Sequence, residues 1–389
     1  YDEAFDAFYK ATWSNEQQEM SYYYLAVIAS RKQNYAEALE LVEKGLVKNM
    51  HNVKARGLKA VLLRVLGREE DRKEWLKANI EIDPFDYMSR AEAGWEEKQK
   101  VFGMMRYNPN AVILLASDYA EGGFWKEAVC ILEESGLSHP MICYYTAYYK
   151  AQMGDGEGAE EALRTAVSVP SDYCFPNRLE DISVLEWAAD QNRADAKARY
   201  YLGTLWYDKY QYEKARNLWE CSAEIDPNFP TVWRNLSLVY FNKTAELQKA
   251  REAMEKAFHL NESDARILLE LDQLYKKMNV PVKERFTLLD SHVELARTRD
   301  DLYTEYISLL NLQGRYEEAY RLIMEHKFHP WEGGEGKITM QYRISLIEMA
   351  KEKMEQSDME AAEECLKRAT VYPVNLGEGK LEGVSDNDI

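Results

Sequence analysis

Apolar residues recur at helical spacing along most of the chain, and the pattern is clearest in YYLGTLWYDKYQYEKARNLWECSAEIDP, residues 200–227. Asp226-Pro227 ends this stretch, because a proline cannot continue a helix. The spacing predicts two helices with large apolar residues between them and small residues at their closest contact. The large apolar residues are Leu202, Trp206 and Trp219, and the small residues are Gly203 and Ala215.

The same arrangement recurs before and after this stretch. The units are marked by Leu25-Ala26 with Ala38, Gly67 with Pro84, Leu115-Ala116 with Ala128, Ala147 with Ala159, Trp233 with Ala250, Tyr303 with Ala319, and Ala350 with Ala362. The unit at Trp233 contains one extra residue. Residues 85–108 and 264–298 have a helical pattern but match the others poorly. Seven or eight units in order predict an internal repeat.

At a period of about 34 residues, these units resemble the tetratricopeptide repeat, or TPR. The resemblance implies an all-α fold, a TPR-type right-handed superhelical solenoid of helix–turn–helix repeats with a concave groove. Two prolines in PSDYCFPNR, residues 170–178, predict a bend. We therefore expect an N-terminal sub-array over residues 1–170 and a C-terminal sub-array over 171–389, joined in one solenoid.

The composition and net charge exclude some classes of binding partner. The net charge of −18 argues against binding to nucleic acid or to an anionic membrane surface, and the chain contains no apolar run of membrane-spanning length. Five cysteines without a CxxC pair argue against a disulfide scaffold or a zinc site and fit a reducing cytoplasm. Because the chain starts at Tyr1 rather than Met, we expect it to be a segment of a longer protein.

The TPR template predicts which side chains face the groove. The predicted inward positions on the first helices of the units include Tyr23, Tyr144, Tyr148, Tyr200, Tyr207, Arg234, Asn235 and Phe241. A tyrosine-rich groove offers flat apolar faces with polar tips, which suit peptides or sugars. The alternative is that some of these rings only pack against neighbouring helices. The basic-plus-asparagine set that clamps a peptide carboxylate in some TPR proteins is not present in full, and Arg234-Asn235 is one partial match. We therefore expect no chaperone-type carboxylate clamp.

Motifs for catalysis are weak. GEGK at residues 334–337 lacks both the earlier glycine of a P-loop and a Ser or Thr after its lysine. Glu332 and Glu335 lie three residues apart on one loop, whereas glycosidase carboxylates face each other across the sugar. His326 and His329 have HxxH spacing, but Pro330 interrupts the helix that would align them on a metal. We expect no cofactor, no metal and no enzymatic activity in this segment.

The loop HPWEGGEGK, residues 329–337, has a partner in YPVNLGEGK, residues 372–380. Both loops follow the second helix of a unit and end in GEGK, which indicates a repeated corner whose glutamate caps a helix. Two alternatives remain open. The loop could be a docking surface for another domain or repeat, or a ligand site in which His329, Trp331, Glu332 and Glu335 hold a sugar.

Residues 299–337 and 371–383 also resemble a narrower family, the C-terminal TPR region of large bacterial proteins. Those proteins carry an N-terminal domain of unknown function that is similar to aldose epimerases. The resemblance covers residues 285–389 and implies a link to carbohydrate use. We therefore expect a non-catalytic scaffold that binds a protein segment or its own N-terminal domain, and the alternative is a carbohydrate-recognition accessory region.

Overall fold

The computed structural model describes residues 1–379, apart from the side chain of Trp95, and contains 23 α-helices and no β-strand within that range. The predicted all-α, TPR-type fold is confirmed. None of the helices in residues 1–379 combines the length and the apolar character that a membrane span requires. The chain divides into two compact units, Tyr1–Gln211 and Tyr212–Ile389.

The first unit contains thirteen of the described helices and a short 3-10 turn at Asn15–Gln17. The helices are α1 (Asp2–Ala11), α2 (Gln18–Arg31), α3 (Tyr35–Lys48), α4 (Val53–Val65), α5 (Glu69–Ile82), α6 (Tyr87–Glu92), α7 (Trp95–Met104), α8 (Pro109–Glu121), α9 (Trp125–Glu134), α10 (Pro140–Gln152), α11 (Gly156–Ser168), α12 (Leu179–Gln191) and α13 (Ala196–Asp208). Residues 170–178, where the sequence predicts a bend, connect α11 to α12 inside this unit. The sub-array boundary at residues 170–171 stays a prediction.

The second unit contains the other ten described helices, a π-helical turn at Tyr240–Thr244 and a 3-10 turn at Val374–Leu376. The helices are α14 (Tyr212–Ile225), α15 (Pro230–Val239), α16 (Leu247–Leu260), α17 (Ala265–Lys277), α18 (Val282–Ser291), α19 (Val293–Ala296), α20 (Asp300–Leu312), α21 (Tyr316–Glu325), α22 (Lys337–Glu355) and α23 (Met359–Ala369). The π-helical turn accommodates the extra residue that the sequence shows in this repeat.

The turns between paired helices repeat one geometry. One residue with positive φ ends the first helix, and the next N–H donates back to a carbonyl five residues earlier, as from Arg68 to Leu63 at 2.9 Å. This is the Schellman arrangement, which satisfies the last carbonyls of a helix. In these turns, the residues with positive φ are Gln33, Gly67, Gly123, Gly154, Asn279, Gly314 and Ser357.

Small residues lie where paired helices touch, as the repeat pattern predicts. Ala38, Ala128, Ala250, Ala319 and Ala362 are all buried. The Ser237 hydroxyl donates to the carbonyl of Ala250 at 2.7 Å, across the contact between α15 and α16. A larger side chain at these positions would separate the helices and leave the apolar faces of the pair unfilled.

The two stretches that match the repeat poorly are helical and are held by buried polar groups. In the first unit, the buried Arg56 guanidinium donates to Asn79 and lies 3.6 Å from the Asp86 carboxylate. In the second unit, the Arg285 guanidinium pairs with the buried Asp272 carboxylate at 2.7 Å. Such contacts need specific polar partners, so these stretches depart from a template based on apolar spacing.

Candidate functional site

Three of the predicted groove tyrosines are buried, namely Tyr23, Tyr144 and Tyr200. The Tyr144 hydroxyl donates to Asp195 at 2.9 Å, and the Tyr23 hydroxyl donates to Glu121 at 3.0 Å. Burial, together with these carboxylates, raises the pKa of both phenols. These three rings are therefore buried inside the first unit and present little surface to a ligand.

The other two predicted tyrosines, Tyr148 and Tyr207, are half-buried. Tyr148 lies on α10 and contacts the edge of Trp187 on α12, with ring centroids 5.5 Å apart. It also lines a cavity in the first unit. Of the eight groove residues predicted from the sequence, Tyr148 is the one that lines this cavity.

The predicted groove residues of the second unit make contacts within the chain. The Arg234 guanidinium pairs with Glu270, with Nε 2.6 Å from Oε2. The Lys277 ammonium lies 5.3 Å from the centre of the Phe241 ring, and Asn235 is half-buried. Because Glu270 already pairs with Arg234, this guanidinium is engaged within the chain.

We call the cavity beside Tyr148 the aromatic groove. It has a volume of about 300 Å³ and lies where α8, α9, α10 and α12 meet, with contributions from α2 and α4. Its lining residues are Arg31, Lys54, Ser117, Ala120, Glu121, Trp125, Tyr145, Tyr148, Tyr149, Gln152, Arg178, Glu180, Ser183 and Val184.

Helix α10 supplies one wall of the aromatic groove. Tyr145, Tyr148, Tyr149 and Gln152 are three or four residues apart, so they lie on one face of the helix. Tyr145 is buried, and its hydroxyl donates to the Asp181 carboxylate in the first turn of α12 at 2.7 Å. This hydrogen bond joins the two helices and holds the wall in place.

An adjacent part of the lining combines an indole ring with a guanidinium. Trp125, the first residue of α9, lies 5.7 Å from Tyr149 between ring centroids. The Arg31 guanidinium lies 5.2 Å from the centre of the indole, within the range of a cation–π contact. Arg31 also donates to the carbonyls of Glu121 and Ala120 at 2.7 and 3.2 Å. These contacts hold the wall rigid.

Counting positions in the TPR template did not identify most of the residues that line the groove. Arg31 is the last residue of α2, Trp125 begins α9 and Arg178 precedes α12, so they lie outside the inward positions of a first helix. The best available signal was the run of aromatic residues in CYYTAYYKAQ, residues 143–152, at the spacing of one helical face. That signal identifies the α10 wall but not the residues facing it.

A second cavity, the corner pocket, lies in the second unit and has a volume of about 260 Å³. The four predicted loop residues all line it, together with residues from the second GEGK loop. Its lining residues are His329, Pro330, Trp331, Glu332, Gly334, Glu335, Ile338, Leu376 and Glu378. The structure thus brings together the two loops that the sequence shows as related.

Hydrogen bonds join the two loops directly. The Phe328 N–H donates to the carbonyl of Asn375 at 2.8 Å, and the Asn375 amide donates to the carbonyls of Ile323 and His326. The Glu378 carboxylate accepts the Gly336 N–H at 2.9 Å at the start of α22. A GEGK glutamate therefore caps a helix, but the cap comes from the following loop. Lys380, the last residue of the second motif, lies outside the described residues.

A carboxylate also holds the first loop from behind. Asp300, the first residue of α20, accepts from the ring of His326 at 2.7 Å and from the backbone N–H of His329 at 2.8 Å. Burial alone would raise the pKa of Asp300, but these hydrogen bonds outweigh burial and hold it below 3.8. Within residues 1–379, neither this cluster nor any other group of His, Cys, Asp and Glu has a geometry that could hold a metal ion.

No protein-family model matches the chain. The crystal structure of YrrB, a TPR protein with an unusual peptide-binding site, is similar at 19% identity and a TM-score of 0.36, over 48% of this chain and 90% of that one. The C-terminal part of a TPR protein from Cytophaga hutchinsonii is 15% identical at a TM-score of 0.36, over 67% and 94%. Yeast Tom70 is 13% identical at a TM-score of 0.30, over 97% and 90%. The TPR-type fold of this chain is established by its own recurring helix pairs and turns.

Proposed function

We propose that this chain is a non-catalytic TPR scaffold that binds a segment of another protein, or of its own parent chain, in the aromatic groove. The observation that carries the proposal is the cavity itself, where Tyr148, Trp125 and Arg31 line one space of about 300 Å³. Rigid aromatic walls with a few polar groups are typical of sites that bind peptide side chains.

The walls are held in place before any ligand arrives. Tyr145 is hydrogen-bonded to Asp181, and the Tyr149 hydroxyl lies 3.1 Å from that of Ser117. A site with fixed side chains loses less conformational entropy on binding than one that must order them. The groove therefore suits a partner that docks in an extended or helical segment, with one side chain in the cavity.

The test is a selection of displayed random peptides on the 389-residue chain, followed by affinity measurements on the selected peptides. We expect Tyr148→Ala to weaken binding about tenfold, because a lost aromatic contact is worth roughly 1–1.5 kcal/mol. Tyr9→Ala is the matched control, since Tyr9 is an exposed tyrosine on α1 in the same unit. If the selected peptides bind the Tyr148→Ala and Trp125→Ala variants with unchanged affinity, the groove is not their binding site.

The second candidate function is carbohydrate recognition at the corner pocket. The specific observation in its favour is that Trp331, Glu332 and Glu335 line one cavity together with Glu378. An aromatic face can stack on a sugar ring, and the carboxylates beside it can accept hydrogen bonds from the sugar hydroxyls.

A thermal-shift screen of the chain against mono- and oligosaccharides tests this candidate, since a ligand that binds the native state raises the unfolding midpoint. If the pocket binds sugar, one sugar class raises the midpoint in proportion to concentration, and Trp331→Ala abolishes the effect. Trp13→Ala is the control, because Trp13 is exposed and lies in the other unit. A rise that survives Trp331→Ala would exclude the corner pocket.

A further inference from the structure

The indole ring of Trp331 lies with one face against the backbone of Gly334. A Cβ added at Gly334 would overlap three adjoining atoms of the indole, namely Cε2, Cδ2 and Nε1. Two of these atoms are shared by both rings, so the glycine meets the face of the indole and not its edge. Gly334 is buried, Trp331 is half-buried, and both line the corner pocket. Glycine, which has no Cβ, is the residue that allows this close approach.

Two consecutive turns bring Gly334 against the ring. The Gly334 N–H donates to the carbonyl of Trp331 at 3.0 Å, and the Lys337 N–H donates to the carbonyl of Gly334 at 3.0 Å. Each turn has a glycine with positive φ at its third position, Gly333 at +73° and Gly336 at +74°, as in a type II turn. The φ of Gly334 itself lies outside the left-handed region. The backbone therefore tolerates alanine at residue 334, and the atoms nearest to the added methyl group belong to Trp331.

The second GEGK loop shows that the repeated corner does not need this ring. When the two loops are aligned on GEGK, Val374 occupies the position of Trp331, and Gly377 occupies that of the glycine beneath it. Val374 is 93% exposed, and the atom nearest to a Cβ on Gly377 is the carbonyl oxygen of Phe328 at 2.5 Å. The contact of an aromatic ring with this glycine is therefore particular to the first loop. Since the corner forms without the ring, Trp331 is available for a separate role.

The contact with Gly334 is also the feature that fixes the indole in place. Among residues 1–379, none accepts a hydrogen bond from the indole N–H of Trp331, and no cation or second aromatic ring contacts it. The exposed carboxylates of Glu332 and Glu335 line the same pocket. The ring thus combines a flat apolar surface with an N–H that a ligand oxygen can accept from, beside two acceptors for ligand hydroxyls.

We propose that Gly334 is the positioning residue of the corner pocket, because it leaves the space that the indole of Trp331 occupies and so holds the ring where a sugar ring can stack on it. This inference rests on the second candidate function, carbohydrate recognition, and names the residue that prepares its aromatic contact. A ring that is fixed before binding loses little conformational entropy when the ligand arrives. With a methyl group at residue 334, the indole has to turn away, and the stacking contact is lost although Trp331 itself is unchanged.

Fluorine NMR of the 389-residue chain labelled with 5-fluorotryptophan tests whether Gly334 holds the ring. The chain has nine tryptophans, and the resonance of Trp331 is the one that disappears in Trp331→Phe. We expect Gly334→Ala to move this resonance and to leave the others unchanged, a pattern that general unfolding would not produce. Gly379→Ala is the control, since it adds the same methyl group to the second GEGK loop, where no atom lies within 4 Å. It should leave the Trp331 resonance in place.

Binding of four named sugars tests what the position of the ring contributes. The sugars are methyl β-D-glucopyranoside, methyl β-D-galactopyranoside, cellobiose and lactose. We expect at least one of them to raise the unfolding midpoint of the unsubstituted chain. Gly334→Ala should weaken the affinity for that sugar about three- to tenfold, the range expected for the loss of one aromatic contact. Gly379→Ala should leave the affinity within about twofold of the unsubstituted chain.

The two measurements separate this inference from carbohydrate recognition itself. An unmoved Trp331 resonance in Gly334→Ala overturns the positioning role, whether or not a sugar binds. A moved resonance with unchanged sugar affinity also overturns the inference, because the sugar then does not need the ring where Gly334 holds it. If neither these sugars nor the wider panel raises the midpoint, carbohydrate recognition is refuted, and the fluorine resonance still decides whether Gly334 holds the ring.

Discussion

The aromatic groove and the corner pocket are built in different ways. The groove is formed by helices, and its α10 wall follows from residues spaced three or four apart on one face. The corner pocket is formed by two loops, and its walls depend on contacts such as Glu378 with the N–H of Gly336, which are 42 residues apart. The shape of the groove therefore depends on the packing of helices, whereas the shape of the pocket depends on a few hydrogen bonds and glycines.

This difference predicts which substitutions lower the stability of a whole unit and which act only locally. In the groove, a buried ring such as Tyr145 is part of the packing between α10 and α12, so its loss affects the stability of the unit. In the corner, the loops can separate while the helices on either side keep their own pairing, because α22 packs on α23 outside the loops. Substitutions in the corner should act locally.

The largest effect is expected for Tyr145→Ala. The ring is buried and its removal leaves a cavity, so we expect the free energy of unfolding to fall by about 3–5 kcal/mol. Tyr145→Phe keeps the ring and loses only the hydrogen bond to Asp181, at a cost of about 1–2 kcal/mol. Urea denaturation followed by circular dichroism measures both. Equal losses for the two variants would contradict a packing role for the ring.

A smaller and local effect is expected for Gly377→Ala. Gly377 has a φ of +73°, and a Cβ there would lie 2.5 Å from the carbonyl oxygen of Phe328. Overpacking and a left-handed alanine together cost about 2–3 kcal/mol. We expect the second loop to detach and hydrogen exchange at Gly336 to accelerate.

The control is Gly379→Ala in the same loop, where an added Cβ would meet no atom within 4 Å. Its stability should change by less than about 0.5 kcal/mol. If both variants change exchange at Gly336 equally, the close contact between Gly377 and Phe328 is not what holds the loops together.

The smallest effect is expected for Asp300→Asn, and it should depend on pH. The pKa of Asp300 is lowered in the fold, so its carboxylate contributes stability above the ordinary pKa of 3.8 and loses it as pH falls through the lower folded value. We expect a loss of about 1 kcal/mol between pH 5 and 7 that shrinks towards pH 3. Urea denaturation at each pH measures it.

Asp172→Asn serves as the control for this substitution, because Asp172 is exposed in the connection before α12. Its effect should stay within about 0.5 kcal/mol at every pH. A cost for Asp300→Asn that persists unchanged at pH 3 would show that the aspartate acts through its shape rather than its charge.

Sequence analysis predicted the repeat because the helix pairs depend on local spacing. Ala38, Ala128 and Ala319 are buried at the expected contacts. Glycine marked the turns at Gly67 and Gly314, but Gln33 and Tyr210 adopt the same left-handed conformation without glycine. At Gln33, the packing of α2 on α3 outweighs the steric cost of the left-handed conformation.

The candidate sites were predictable in part. The loop residues His329, Trp331, Glu332 and Glu335 lie together because they are close in the chain. Among the groove residues, counting template positions does not separate a buried tyrosine such as Tyr144 from a half-buried one such as Tyr148. That distinction depends on residues outside α10, such as Asp195, which accepts a hydrogen bond from the Tyr144 hydroxyl.

The amino-acid sequence by itself determined the helices, their pairing and the kinship of the two GEGK loops, because each depends on residues close together or on a repeated motif. Only the tertiary structure decided that Arg31, Trp125 and Arg178 share a cavity with Tyr148 and that Glu378 caps α22. These contacts join residues tens of positions apart. Their geometry follows from how whole helices stack, and local spacing along the chain carries no record of it.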